Sequence, residues 1–258
     1  MPEYIQHHTE DRISYIILNR PEKRNAFHPD LVTELKAAFR SEMDNSKSRI
    51  IILKGNGKAF SAGADLKYIQ GLQENSYEEN LADSQHLQEL FELIYEHPKP
   101  VIAQVEGHAI AGGCGLATVC DFIYSIPEAK FAYTEVKIGF VPAIVMLFLI
   151  RKVGDAKARE LLLSGNLYQA EEFHNLGLIN ELVSADEIDA FVKKKAEDLM
   201  AACSGDSWAL TKQLMAQVQD LPWKDALNLA AQYNAKARST KDCKKGIASF
   251  LNKKSIIW

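Results

Sequence analysis

The sequence has few cysteines, and their arrangement matches neither a zinc site nor a disulfide framework. Its four cysteines are Cys114, Cys120, Cys203 and Cys243. They show no C-x-x-C spacing and no nearby pair of histidines, which zinc sites usually need. We therefore expect buried, reduced thiols, no metal ion and no redox cofactor.

An excess of positive charge and a long apolar run are also absent. The chain carries 30 Lys and Arg against 34 Asp and Glu, a formal net charge of -4. This balance gives no general attraction to nucleic acid or to anionic lipid. No apolar stretch is long enough to span a bilayer, and residues 1–8 do not resemble a secretion signal. We expect a cytoplasmic protein without nucleic-acid or membrane partners.

What is present fits a globular α/β chain of 258 residues, 47% hydrophobic and 25% charged. Alternating or β-branched apolar residues predict strands at 12–19, 49–54, 101–106 and 121–126. Helical spacing follows Pro29 and continues over residues 76–96, although residues 74–79 would also fit a loop. From about Gly154 the pattern is helical, with helices predicted at 156–163, 169–176, 187–202 and 223–238. The alternation predicts a sheet with crossover helices.

Two turns rich in small residues are the candidate ligand sites. The segment GNGKAFSAGADLK, residues 55–67, follows a predicted strand, and its Asp65 favours a helix start. The segment VEGHAIAGGCGL, residues 105–116, leads into an apolar helical stretch. Free N–H groups at such a turn would stabilise a thioester oxygen as it becomes an enolate. The glycine spacing matches neither a dinucleotide fingerprint nor a P-loop.

These segments, taken with several others in order, resemble the crotonase superfamily of enoyl-CoA hydratases and isomerases. The others are RPEKRNA at 20–26, Cys120-Asp121, Glu135, GFVP at 139–142 and LGLI at 176–179. The resemblance implies an α/β fold, a crotonase-like spiral of ββα units over residues 1–200. A helical trimerisation region over residues 201–258 would follow it. The implied assembly is a homotrimer or homohexamer.

The resemblance also implies residue roles. The N–H groups of Ala64 and Gly112 would be the two donors of an oxyanion hole. An acyl-CoA substrate, with coenzyme A as its own carrier and no separate cofactor, would contact residues from several segments. These are Lys23, Arg24, Ala26, Ala62, Asp65, Leu66, Lys67, Gly115 and Pro142, together with Phe250 and Lys253 as a weaker C-terminal match.

The acid/base residues depart from the pattern of the hydratases in this family. Such enzymes place one glutamate just after the Gly-Gly-Cys turn and a second twenty positions later. Here the first position is Gly115, and only the second, Glu135, is kept. A single carboxylate can still carry a proton if an apolar site raises its pKa. For Tyr133 we expect packing rather than orientation of Glu135, and for His108 no catalytic role.

A second departure follows Pro142, where the apolar run AIVMLFLIR, residues 143–151, replaces the usual glycine-rich stretch. The combination of Gly115 with Thr-Glu-Val at 134–136 and Val-Pro-Ala at 141–143 resembles bacterial branched-chain members of the family, particularly those related to 3-methylglutaconyl-CoA hydratase. The missing glutamate is expected to leave room for a branch or a second carboxylate on the substrate. Met146 and Phe148 are expected to pack in the core or at a trimer contact.

The first functional hypothesis is reversible hydration of a 2-enoyl-CoA, with Glu135 handling the proton and the water. Double-bond isomerisation is a close rival, because one carboxylate suffices for it. Decarboxylation of a branched glutaconyl thioester is a third option, since it too passes through an enolate. A non-catalytic acyl-CoA-binding subunit is the alternative from another class.

Overall fold

The computed structural model describes residues 4–258, so residues 1–3 of the predicted core region lie outside it. Its strands form a six-stranded and a four-stranded sheet. The strands are β1 (Ile5–Glu10), β2 (Ile13–Leu18), β3 (Ile50–Gly55), β4 (Ala59–Ser61), β5 (Val101–Val105), β6 (His108–Ile110), β7 (Phe122–Ser125), β8 (Lys130–Ala132), β9 (Tyr168–Gln169) and β10 (Glu181–Leu182).

Ten α-helices connect and cover these strands within the described residues. They are α1 (Pro29–Met43), α2 (Leu66–Gly71), α3 (Tyr77–Tyr95), α4 (Gly112–Val119), α5 (Ala143–Ser164), α6 (Ala170–Asn175), α7 (Ile188–Ala202), α8 (Gly205–Val218), α9 (Trp223–Ser239) and α10 (Lys241–Leu251). Helix α5 is interrupted at Gly154, whose φ of 75° is not helical. Its second half is the helix predicted at 156–163.

The two sheets are built from a repeating ββα unit. The large sheet has the order β1-β2-β3-β5-β7-β10, and the small sheet has the order β4-β6-β8-β9. Strands β3, β5 and β7 of the large sheet each lead into a short strand of the small one, and a helix then follows. In the large sheet, the neighbouring strands β2, β3, β5, β7 and β10 run parallel. This confirms the predicted α/β spiral of ββα units.

The centre of the large sheet explains the continuous apolar runs. All four residues from Ile50 to Leu53 on β3 are fully buried. Complete burial of consecutive residues means that both faces of the strand are covered, as is usual for parallel sheets. A strand in that position needs no polar side chain, which is why residues 49–54 show no alternation.

Helix α3 begins with a capping box. The Ser76 hydroxyl accepts a hydrogen bond from the Glu79 N–H, and the Glu79 carboxylate accepts one from the Ser76 N–H. These bonds satisfy backbone donors that have no partner within the helix. The polar segment at 74–79 is therefore a helix start rather than a long loop.

The C-terminal helices α8, α9 and α10 pack mainly on one another. No residue of α9 or α10 is buried in a single chain. The helical C-terminal region is thus confirmed, whereas a domain boundary at residue 200 stays a prediction. None of the helices within residues 4–258 has the length and apolar content to cross a membrane.

The cysteines follow the prediction only in part. All four are free thiols, and Cys114 and Cys120 are buried. Cys203 and Cys243 are only partly buried, because both lie at helix ends near the less covered C-terminal region. The expectation of burial was therefore wrong for these two.

Candidate active site

The first of the two predicted turns is joined to the segment at residues 20–27 by backbone hydrogen bonds. The Ala62 N–H donates to the Arg24 carbonyl at 2.9 Å, and the Phe27 N–H donates to the Gly63 carbonyl at 2.7 Å. The Asp65 N–H returns to the Phe27 carbonyl at 3.0 Å. The residues expected to contact coenzyme A in both segments are therefore neighbours.

Asn25 was not assigned a role from the sequence, but its hydrogen bonds stabilise the contact between these two segments. Its buried side-chain amide donates to the carbonyls of Asn56 and Ala59 at 3.0 and 2.9 Å. The Ser61 hydroxyl donates to the Asn25 carbonyl at 2.9 Å. Asn25 also has a φ of 53°, a conformation that asparagine adopts more readily than most residues. The only sequence feature that could have indicated this role is an asparagine that follows two basic residues and precedes an alanine.

The second turn, at the start of α4, is pressed against the first. A Cβ on Gly63 would lie 2.9 Å from the Gly112 nitrogen, and one on Gly113 would lie 2.7 Å from the Ser61 carbonyl carbon. Real side chains do not approach this closely, so glycine is required at both positions. The ring of Phe27 completes the contact, 3.1 Å from where a Cβ of Gly112 would stand.

Two N–H groups at this contact have no internal acceptor within residues 4–258. Ala64 forms a parallel bridge with Phe27, but the bonds of that bridge use the Gly63 carbonyl and the Asp65 N–H. The Ala64 N–H is left over. Gly112 is the first residue of α4, where an N–H has no partner within the helix. The two turns thus bring two uncommitted backbone donors to neighbouring positions.

Glu135 is the first residue of a short 3-10 helix, Glu135–Ile138, just after β8. Its side chain is buried, with 8% of the residue exposed, and its Oε2 atom has no hydrogen-bond partner. Burial raises the pKa of this carboxyl above its ordinary value. Burial also raises the pKa of the Cys114 thiol to about 12, and the charge of Glu135 adds to that shift. The strand that leads to Glu135 is joined to the start of α4, because the Ala111 N–H donates to the Ala132 carbonyl at 2.7 Å.

The space expected at Gly115 is already filled. A Cβ on Gly115 would lie 2.6 Å from the Cβ of Val145 on α5, and closer still to its Cγ1. The ring of Phe91 is 3.5 Å from the same point. The prediction that a missing glutamate leaves room there was wrong, because the Val145 side chain of α5 occupies the space in which a Cβ of residue 115 would lie. Val145 lies inside the apolar run at 143–151, where nothing in the sequence distinguishes it from its neighbours.

The neighbouring aromatic residues have the packing roles expected of them. The buried Tyr133 hydroxyl donates to the Thr118 hydroxyl at 2.9 Å, so it bonds within the core. Phe148 stacks on Phe91 with ring centroids 5.9 Å apart, and Met146 is partly buried against the core. His108 is exposed on β6.

Asp65 has a structural use. Its carboxylate accepts from the Lys67 N–H at 3.0 Å, at the start of α2, and pairs with the Arg20 guanidinium at 2.8 Å. Burial alone would raise the pKa of Asp65, but the hydrogen bonds from Arg20, Lys67 and Tyr68 lower it. The predicted helix start is confirmed, and both carboxylate oxygens already have partners.

The remaining predicted contact residues differ in exposure. Lys23, Arg24, Leu66 and Lys67 are exposed next to the joined turns, Ala62 is half-buried, and Ala26 and Pro142 are buried. Phe250 and Lys253 are exposed at the end of α10, a helix that packs against α8 and α9. Among residues 4–258, no three histidine, cysteine, aspartate or glutamate side chains are grouped so that they could hold a metal ion.

Comparisons with known proteins match this chain to one family. The family model for enoyl-CoA hydratase/isomerase matches residues 8–258. One relative is a Thermus thermophilus protein that is provisionally named an enoyl-CoA hydratase. It is 40% identical to this chain, and the match covers 94% of this chain and 95% of the relative. The crotonyl-CoA hydratase of Syntrophomonas wolfei is 33% identical over 95% of this chain and 94% of its own.

Solved structures extend the agreement to the fold. The crystal structure of an enoyl-CoA hydratase from Shewanella pealeana superimposes with a TM-score of 0.92 and 28% identity, covering 99% of this chain and 96% of that one. The family match spans nearly the whole chain and both glycine-bearing turns. The chain therefore belongs to the enoyl-CoA hydratase/isomerase family and is an enzyme.

Proposed function

We propose that the N–H groups of Ala64 and Gly112 bind the carbonyl oxygen of an acyl-CoA thioester. Both donors lack an internal acceptor, and both lie where two turns meet. Hydrogen bonds from such fixed donors stabilise the negative charge that develops on the oxygen as an enolate forms. Exposed Lys23, Arg24 and Lys67 supply positive charge beside these turns for the phosphates of coenzyme A.

The observation that carries the proposal is the buried, unpartnered Oε2 atom of Glu135. A carboxylate with one unpartnered oxygen, and with a pKa raised by burial, is suited to take and return a proton. The strand that ends three residues before Glu135 is joined to the start of α4 by the hydrogen bond from the Ala111 N–H to the Ala132 carbonyl, which supports this role.

The reaction proposed is reversible hydration of a 2-enoyl-CoA. Glu135 accepts a proton from water while the water oxygen bonds to C3 and the electron pair moves to the thioester oxygen. The same carboxyl then returns the proton to C2 as the carbonyl re-forms. The hydratase relatives support hydration as the reaction.

A second candidate is isomerisation of a 3-enoyl-CoA, and the packing of Val145 on Gly115 favours it. With that space filled, Glu135 is the only carboxylate at the predicted pair of positions. One carboxylate can remove a proton from C2 and return it to C4 without activating any water. A branched substrate such as 3-methylglutaconyl-CoA would need room elsewhere in the pocket.

The test is turnover of crotonyl-CoA, 3-methylglutaconyl-CoA and a 3-enoyl-CoA by the purified protein. A hydroxyacyl product supports hydration, a shifted double bond alone supports isomerisation, and release of carbon dioxide supports decarboxylation. Glu135→Gln is expected to lower the rate by about 10²- to 10⁴-fold, because it removes the proton carrier. Glu181→Gln, at an exposed surface ion pair, is the control and should leave the rate unchanged.

Wild-type rates with Glu135→Gln for every thioester would refute the acid/base role. Binding of coenzyme A without any turnover by wild type would favour a binding subunit instead.

We also propose that the chain assembles as a homotrimer or as a homohexamer of two trimers. The support is the set of apolar side chains on the C-terminal helices that a single chain leaves exposed. Among them are Trp223 (77%), Phe250 (82%) and Leu251 (75%). Exposed apolar patches of this kind mark interfaces. The mass of the same preparation by light scattering, relative to 28.9 kDa for one chain, tests the assembly.

A further inference from the structure

Gly115 packs against Val145, and this contact limits which side chains fit at position 115. It is buried in α4, and the direction of a Cβ from this residue leads into the side chain of Val145. The nearest atoms to that Cβ belong to Val145 and Phe91, and all are carbon. The position where related hydratases carry their first glutamate is therefore an apolar contact between helices.

Val145 is held firmly in this contact. It is the third residue of α5, is 5% exposed, and belongs to the main core cluster together with Leu149 and Phe91. Pro142 immediately precedes α5, which fixes where the helix begins. A shift of α5 would disturb this whole set of contacts, so a side chain at position 115 cannot be accommodated by a small local movement.

We propose that Val145 is a specificity-determining residue that limits this active site to a single carboxylate. Its isopropyl group fills the volume that a second glutamate at position 115 would need. It thereby holds hydration below the rate that two carboxylates would support. This inference rests on the proposed function, because it assumes that Glu135 acts on the thioester.

The packing part is tested without substrate by a double-mutant cycle of Gly115→Ala and Val145→Gly. Val145→Ala would not suffice, because the Cβ of residue 145 is itself only 2.6 Å from the added methyl group. We expect Gly115→Ala to lower the Tm by roughly 2–12 °C through overpacking. We expect the double variant to have a higher Tm than the sum of the two single effects predicts.

Leu147→Gly is the matched control for a glycine in α5. Leu147 lies two residues further along the helix and is 56% exposed. Combined with Gly115→Ala, it should give no recovery of the Tm. Simple additivity of Gly115→Ala and Val145→Gly, or a wild-type Tm for Gly115→Ala, would overturn the proposal.

The catalytic part compares Gly115→Glu/Val145→Gly with Gly115→Gln/Val145→Gly. The two variants have nearly the same shape and differ in one ionisable group. We expect the glutamate variant to hydrate crotonyl-CoA at least about ten-fold faster than the glutamine variant, with no matching gain in isomerisation of a 3-enoyl-CoA. Equal hydration by the two folded variants would contradict the proposal, as would equally fast hydration by Gly115→Glu with Val145 retained.

Failure of the proposed function gives a different result. In that case wild type and Glu135→Gln behave alike towards every thioester, while the coupling between positions 115 and 145 in the Tm is still observed. If the glutamate variants do not fold, the cycle with Gly115→Ala still decides whether Val145 blocks the position.

Discussion

Glu42, near the end of α1, and Glu135, after β8, are both buried carboxylates, but their surroundings are opposite. Glu42 accepts hydrogen bonds from Asn45 and Ser48, lies 2.9 Å from the His7 ring nitrogen, and pairs with Lys99 at 3.2 Å. Glu135 has no partner for its Oε2 atom.

The pKa values follow these surroundings rather than burial. Burial alone would raise the pKa of Glu42, but the hydrogen bonds from Ser48 and Asn45 and the charge of Lys99 lower it to about 2. At Glu135 burial is opposed only by a hydrogen bond from the residue's own backbone N–H, and the pKa rises. A buried carboxylate with many partners stabilises the fold, whereas one without them remains available for proton transfer.

The largest expected effect on stability is from Glu42→Gln. Removing this charge leaves the Lys99 ammonium with little compensation in a largely buried site, which costs about 3 kcal/mol. The Tm should fall by roughly 6–12 °C, as measured by thermal unfolding at pH 7. Asp198→Asn, which breaks an exposed pair with Lys194, is the control and should leave the Tm nearly unchanged. An unchanged Tm for Glu42→Gln would mean that its partners do not stabilise the fold.

A smaller effect concerns His97, which contacts Lys99, the residue that also pairs with Glu42. Burial, with the charge of Lys212, lowers its pKa from 6.5 to about 4. Its Nδ1 accepts from the Lys99 N–H, which requires the neutral ring. Since the unfolded chain takes up this proton first, stability should fall by about 2.5 kcal/mol as the pH drops from 6.5 to 4.

His97→Gln should flatten this pH dependence between 6.5 and 4, although it will lower stability at pH 7. Denaturant unfolding at several pH values measures both. The exposed His108→Gln is the control and should keep the wild-type slope. A wild-type slope for His97→Gln would show that other groups control acid unfolding.

The smallest expected effect is a gain in stability from Glu135→Gln. The folded-state pKa of Glu135 lies above its unfolded value, so the two states bind the proton equally below about pH 4.5. Above that pH the folded state loses stability until its own pKa is passed. Glu135→Gln should therefore match the wild-type Tm at pH 4 and exceed it slightly at pH 8. A lower Tm at pH 8 would indicate a hidden partner for this carboxylate.

Much of the fold is predictable from local patterns, and the exceptions have physical reasons. The strands at 49–54 and 101–106 and the long helices follow the spacing of apolar residues. Strands β4, β6 and β8 were missed because three residues carry too little periodicity. The first half of α5 was seen only as an apolar run, since buried helices and buried strands look alike over short stretches.

The site was predictable in its residue types but not in its packing. The resemblance pointed to Glu135 and to the two glycine-bearing turns, which the structure brings together. It could not show that Val145 fills the space beside Gly115, because residues far apart in the chain meet there. The Asp65–Arg20 pair was hidden for the same reason.

The contact of Gly113 with the Ser61 carbonyl has a practical consequence for anyone who wishes to redirect this enzyme. The spacing of the two turns is set by main chain touching main chain, so no choice of side chain can widen or narrow it. Libraries that vary residues 61–64 or 111–113 will mostly yield inactive protein. Changes are better placed in α3 and α5, whose Phe91 and Val145 side chains surround Gly115 without taking part in that main-chain contact.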